Sequence, residues 1–174
     1  AKNEATWIAA DLLSQAEHDE DAQAILITDN ANFAEAVEKE IEALLTLLPR
    51  REITTVSWKR HGVILTADSF VDALPLIEMI APEHLELAIE DAEAFSKKVK
   101  RAGAIFLGRH TPEAIGDYIA GPSHVLPTSR AARFSSGLSV FDFLTRTSII
   151  GCSPVAAKAL AEAAATLADC EGLP

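Results

Sequence analysis

The chain has 174 residues, and 26 acidic against 15 basic side chains give it a formal net charge of −11. That length can bury one domain-sized core with an appended arm. The acidic excess argues against a nucleic-acid or membrane partner, because anionic surfaces are bound mainly through clustered Lys and Arg, and a small-molecule partner is expected instead.

Cys152 and Cys170 are the only cysteines, too few for a disulfide framework and too far apart for a zinc ribbon or redox motif, so a cytoplasmic protein is expected. No apolar run is long enough to cross a bilayer, and nothing resembles a signal peptide. With no initiating Met, and with helical pattern beginning close to Ala1 and ending close to Pro174, the chain reads as a piece of a longer polypeptide.

Residues 5–17 form the first predicted helix, with Trp7, Leu12 and Leu13 as packing residues and His18 at its end. Residues 23–28 (Gln-Ala-Ile-Leu-Ile-Thr) are apolar and β-branched, as in a buried parallel strand. A helix is predicted from Phe33 to Leu48, where Phe33, Val37, Ile41, Leu44 and Leu48 make one apolar stripe before Pro49 stops it. The alternation then repeats. Residues 63–66 read as a strand, Asp68 or Ser69 as an N-cap, and residues 70–80 as a helix that Pro82 ends by restricting Ala81. Residues 84–90 alternate Leu85, Leu87 and Ile89 with Glu86, Ala88 and Glu90, the pattern of a half-buried strand. A helix over 92–101, a stop at Gly103 and a strand over 104–107 follow.

This order predicts an α/β fold: an open, mostly parallel, three-layer α/β/α sheet of incomplete Rossmann-like type, followed by a helical C-terminal arm. The division is placed at 1–130 and 131–174. Within the second part, residues 131–137 read as a linker and residues 139–150 and 154–168 as helices, the last with a narrow stripe of Ala156, Leu160, Ala163 and Leu167. No GxGxxG or Walker loop occurs, so nucleotide binding by those routes is excluded for this chain.

Three constellations carry chemistry. Residues 116–128 (Gly-Asp-Tyr-Ile-Ala-Gly-Pro-Ser-His-Val-Leu-Pro-Thr) are punctuated by two glycines and two prolines and are expected to form a fixed irregular loop holding Asp117 and His124, with Arg133 beyond it as a possible anion contact. Gln15 and His18, three apart, share one face of a helix end. Glu83 and His84 put two acid/base groups side by side where a helix breaks and a strand begins. Taken singly, each also reads as solvated surface: a turn acid, a polar helix face, an exposed turn.

Together, Gln15-Ala-Glu-His18-Asp, Ala81-Pro-Glu83-His84-Leu-Glu, Gly116-Asp117-Tyr, Gly121-Pro-Ser-His124-Val-Leu-Pro-Thr and Phe134-Ser-Ser-Gly-Leu-Ser-Val resemble, in order and over essentially the whole chain, the histidinol dehydrogenase family. The resemblance implies oxidation of L-histidinol to L-histidine through an aldehyde in two NAD-dependent steps, with zinc holding the substrate. It implies that Gln15, His18 and Asp117 ligate zinc, that Glu83 and His84 are the acid/base pair, and that His124 and Glu171 contact the substrate. It further implies a homodimer whose arm carries Glu171 into the partner's site. The family's remaining zinc ligand and its nicotinamide-binding half have no counterpart within these residues, so the chain alone is expected to bind zinc weakly and not to turn over histidinol. Two other readings stay open: a zinc and NAD dehydrogenase of another small polar alcohol, and a non-catalytic α/β interaction module.

Overall fold

In the computed structural model, which describes residues 3–173, helix α1 (Ala5–Ala16) buries Ala9, Leu13 and Ala16 along one stripe. Strand β1 (Ile25–Thr28) follows, and helix α2 (Ala31–Leu45) starts where the Asn30 side chain accepts the Phe33 N–H at 3.1 Å. Helix α3 (Arg51–His61) was not expected from the sequence. Its Ile-Thr-Thr-Val run has the composition of a strand. Tertiary contacts make it a helix: Thr54 and Ser57 are fully buried, with their hydroxyls donating to the carbonyls of Arg50 and Ala22 at 2.9 Å each.

Strand β2 (Val63–Thr66) leads to helix α4 (Phe70–Ile80), which is capped by Ser69. Pro82 keeps Ala81 out of the right-handed helical region, as expected, but Ala81 escapes into the left-handed region (φ 48°) and not into an extended one. Strand β3 (His84–Leu87) and helix α5 (Ala92–Ser96) are shorter versions of the predicted elements, and strand β4 (Ala104–Leu107) has the predicted bounds. Helix α6 (Glu113–Tyr118) takes in Gly116 and Asp117, so the predicted irregular loop begins only after it. Gly116 is tolerated in this helix because the Phe106 ring occupies the space a Cβ would need.

The strands pair in parallel as β1–β2 and β3–β4, each joined by a helical crossover, and form two small open sheets rather than one continuous ladder. Helices cover both faces. Leu26 and Ile64 pack with Ala9, Leu13, Val37 and Ile41 of α1 and α2, whereas Ile27 packs with Ala73, Ile77, Leu87 and Phe95 around α4, β3 and α5. The parallel α/β architecture is therefore the one predicted.

The chain divides into two compact units, residues 1–139 and 140–174. In the second, the predicted helix over 139–150 is reduced to a single 3-10 turn, Val140–Phe143. Aromatic and β-branched residues dominate this stretch and remain exposed, so no packing offsets their poor helix propensity. Helix α7 (Pro154–Glu171) is well formed: Ser153 caps it by accepting the Ala156 N–H, and Gly172 closes it at φ 70°. Val155, Leu160 and Leu167 on this helix are exposed. Among the described residues, no helix is long and apolar enough to cross a membrane.

Candidate functional site

The site is built where α1 lies over the polar face of β3. Strand alternation puts Leu85 and Leu87 into the apolar cluster and leaves His84 and Glu86 on the opposite face. That face meets α1, not water. Two strand residues span about 6.6 Å and four helical residues about 6 Å, so His84 and Glu86 match Gln15 and Asp11 in spacing. His84 Nδ1 lies 3.3 Å from Gln15 Oε1, and Glu86 is hydrogen-bonded to Asp11.

Helix α6 closes the third side. Its first residue, Glu113, is only 5% exposed, accepts a hydrogen bond from Ser14 Oγ at 3.3 Å and stands 3.8 Å from His84 Nδ1. One turn later, Asp117 Oδ1 approaches His84 Nε2 to 3.4 Å, but without hydrogen-bond alignment, so this buried nitrogen has no hydrogen-bond partner. The Phe106 ring tilts against the imidazole with centroids 5.8 Å apart. His84, Glu113 and Asp117 thus offer donor atoms that all lie within 4.8 Å of one another, a set that suits a divalent cation.

Electrostatics follow from crowding acids in a poorly solvated place. Burial pushes the Glu86 carboxyl up to about 8, with the Asp11 charge and hydrogen bond adding to the effect. Burial also raises Asp11 and Glu113; for Glu113, the neighbouring His84 pulls the other way. A cleft of about 1320 Å³ opens beside the cluster, and Gln15, Glu83, His84, Glu86 and Glu113 are among the residues on its wall.

The sequence profile of histidinol dehydrogenase matches residues 1–174. The chain belongs to the histidinol dehydrogenase family. A curated family member from Mesorhizobium japonicum is 57% identical over 171 residues, covering 98% of this chain and 40% of that protein. Histidinol dehydrogenase 1 of Trichormus variabilis is 50% identical over 173 residues, 99% of this chain and 40% of its own length. The crystal structure of the Elizabethkingia anophelis histidinol dehydrogenase superposes with a TM-score of 0.85 at 35% identity, over 99% of this chain and 40% of that one. This chain therefore spans about two fifths of the length of these family members.

Among the residues singled out from the sequence, Gln15, His84 and Asp117 converge on one imidazole from three separate elements. His18 is exposed at the end of α1, close enough for its charge to act on Glu113, and its Nδ1–H donates to the Ser14 carbonyl at 2.8 Å. Glu83 is half-buried one residue before β3, with Gly103 packed against its carbonyl. His124 is exposed on the loop beyond α6. Among the described residues, no hydrogen bond or ion pair ties Glu83 or His124 to the cluster. Glu171 is the last residue of α7, in the second unit. Arg133 is used locally, its Nε donating to the Arg130 carbonyl at 3.1 Å.

Four residues of the cluster were missed: Asp11, Ser14, Glu86 and Glu113. A signal existed for α1, because Asp11, Ser14, Gln15 and His18 recur at spacings of three and four and form a polar stripe on an otherwise apolar helix. Glu113 carried no such signal.

Proposed function

We propose that this chain is the acid/base and metal-bearing part of a cytoplasmic enzyme of histidine biosynthesis that oxidises L-histidinol to L-histidine through L-histidinal in two NAD-dependent steps. The observation that carries the reading is the buried imidazole of His84 on the wall of an open cleft, with Gln15 at its Nδ1 and Asp117 near an Nε2 that has no hydrogen-bond partner.

Gln15, His18 and Asp117 would hold a zinc ion. The donor set fits, because the bond from His18 Nδ1–H to the Ser14 carbonyl leaves Nε2 with the free lone pair that a metal needs. Bound zinc supplies a template that fixes the substrate's imidazole and amine. NAD, held by residues outside this chain, supplies the hydride acceptor. His84 Nε2 takes the proton of the substrate hydroxyl, and Glu83, on the same cleft, activates the water that hydrates the aldehyde. His124 contacts the substrate. Glu171 reaches the substrate of a second copy, and the exposed apolar residues of α7 serve the homodimer.

The test is made on the complete polypeptide, supplied with NAD and either histidinol or histidinal, while NADH release is followed in each half-reaction. His84→Asn should depress alcohol oxidation by about two to four orders of magnitude, and Glu83→Gln should spare aldehyde formation more than its conversion to histidine. No NADH from histidinol in the unaltered enzyme would reject the reading. Wild-type rates in both variants would remove the pair from the mechanism.

A further inference from the structure

We propose that Gly103 is the positioning residue for Glu83: having no side chain, it lets the start of β4 close onto the Glu83 carbonyl and fixes the backbone that presents the Glu83 carboxylate. The inference rests on Glu83 and His84 being the acid/base pair named above.

The two members of the pair are held in different ways. The His84 ring packs on Phe106 and has Gln15, Glu113 and Asp117 around it. Among the described residues, the Glu83 side chain makes no hydrogen bond or ion pair, so its place is set chiefly by the backbone that carries it. That backbone leaves α4 through Ala81, which is left-handed at φ 48°, ψ 63°, a conformation that a residue with a Cβ keeps only where its surroundings enforce it. The start of β4 helps to enforce it: the Gly103 N–H donates to the Pro82 carbonyl at 2.9 Å and the Ala104 N–H to the Glu83 carbonyl at 2.8 Å.

These two bonds need a glycine at 103. A Cβ there would stand 2.6 Å from the Glu83 carbonyl oxygen and 3.3 Å from its carbon, and Pro127 Cδ would lie 3.1 Å from the same methyl. The neighbours are backbone and a buried proline ring, neither of which swings aside like a flexible side chain. Nothing else calls for glycine at this position. Helix α5 ends at Ser96, well short of it, and its φ is not left-handed, so close approach is the reason that remains. A general base works within about 2.6 to 3.2 Å of the proton it takes, and a shift of the Glu83 peptide by a fraction of that distance is felt at the carboxylate. Gly103 thereby sets the aim of the residue that activates water, without touching the substrate itself.

The experiment uses the complete, zinc-loaded polypeptide with NAD and histidinal, and places Gly103→Ala in two backgrounds, unaltered and Glu83→Gln. In the first, Gly103→Ala should lower kcat by about 10- to 100-fold, as a misplacement of about 1 Å does, with KM within about threefold and zinc content unchanged. In the second, the same substitution should cost no more than about threefold, because the group it displaces is already gone. Gly62→Ala, whose methyl would stand 2.6 Å from the Trp58 carbonyl at the end of α3, makes a comparable clash elsewhere and should leave kcat within about threefold. Equal losses in the two backgrounds overturn the proposal, as does an equal loss in Gly62→Ala or a loss confined to KM or zinc content. Should Gly103→Ala fail to fold, hydrogen exchange on the unaltered enzyme still decides. The Gly103 and Ala104 amides should exchange at least about 10³-fold more slowly than in an unstructured chain, and rapid exchange at either overturns the clamp. Wild-type conversion of histidinal by Glu83→Gln alone is a different result: it removes Glu83 from the mechanism, and this inference with it.

Discussion

Replacing Glu86 by Gln should change the pH dependence of stability in a defined direction. Burial and the Asp11 carboxylate push the Glu86 carboxyl from its ordinary 4.5 to about 8 in the folded chain. The folded state therefore keeps a proton that the unfolded state releases above about 4.5. Stability tied to this group is fully present below that value and is lost as pH rises through about 8. An isolated carboxyl moved that far would account for about 5 kcal/mol at 1.36 kcal/mol per pH unit. Because Glu86 and Asp11 share a hydrogen bond, one proton serves both, and about half that figure, ~2 to 3 kcal/mol, is a fairer working value.

Gln imitates the protonated acid: its NH2 donates to Asp11, and its carbonyl accepts the Glu113 N–H that Glu86 now takes. Urea unfolding of the unaltered protein and of Glu86→Gln, measured at intervals from pH 4.5 to 8.5, cancels in the difference the titrating groups that do not interact with Glu86. The variant should be about as stable as wild type near pH 4.5 and gain steadily up to pH 8, ending about 2 kcal/mol ahead, or roughly 4 to 8 °C in Tm. Parallel curves across the range would refute the reasoning, and so would a variant that falls further behind as pH rises.

Other expectations follow from particular contacts. Gly116→Ala forces a methyl into the Phe106 ring and should cost about 1 to 3 kcal/mol in chemical denaturation while disturbing the neighbouring His84 resonances. Ser57→Ala removes a fully buried hydroxyl and strands the Ala22 carbonyl, for an expected loss of about 1 to 3 kcal/mol measured in the same way. Ile41→Ala opens a cavity at the junction of α1 and α2 and should cost about 2 to 5 kcal/mol. In the complete polypeptide, His84→Asn should keep zinc by elemental analysis, whereas Asp117→Ala should lose it; loss of metal in His84→Asn would move the ligand set to His84, Glu113 and Asp117.

What could be read from the sequence is what depends on local pattern. The stripe through Val37 and Ile41 placed α2, the β-branched run ending at Thr28 placed β1, and the Ser69 cap with Pro82 bracketed α4 almost to the residue, because periodicity and capping act within a few positions of themselves. Five quoted motifs taken in order were enough for the family. Long-range contacts decided the rest. Helix α3 exists because Thr54 and Ser57 are buried, Ser57 against the distant Ala22 carbonyl, which no strand-like composition could announce. The predicted helix over 139–150 fails for want of packing. Glu86 looked like the wet side of a strand until α1 covered it, and burial then turned an ordinary surface acid into one that holds its proton near neutrality. Glu113 lies 99 residues from Ser14 and 29 from His84, and only the folding of α6 onto α1 and β3 brings the three side chains together.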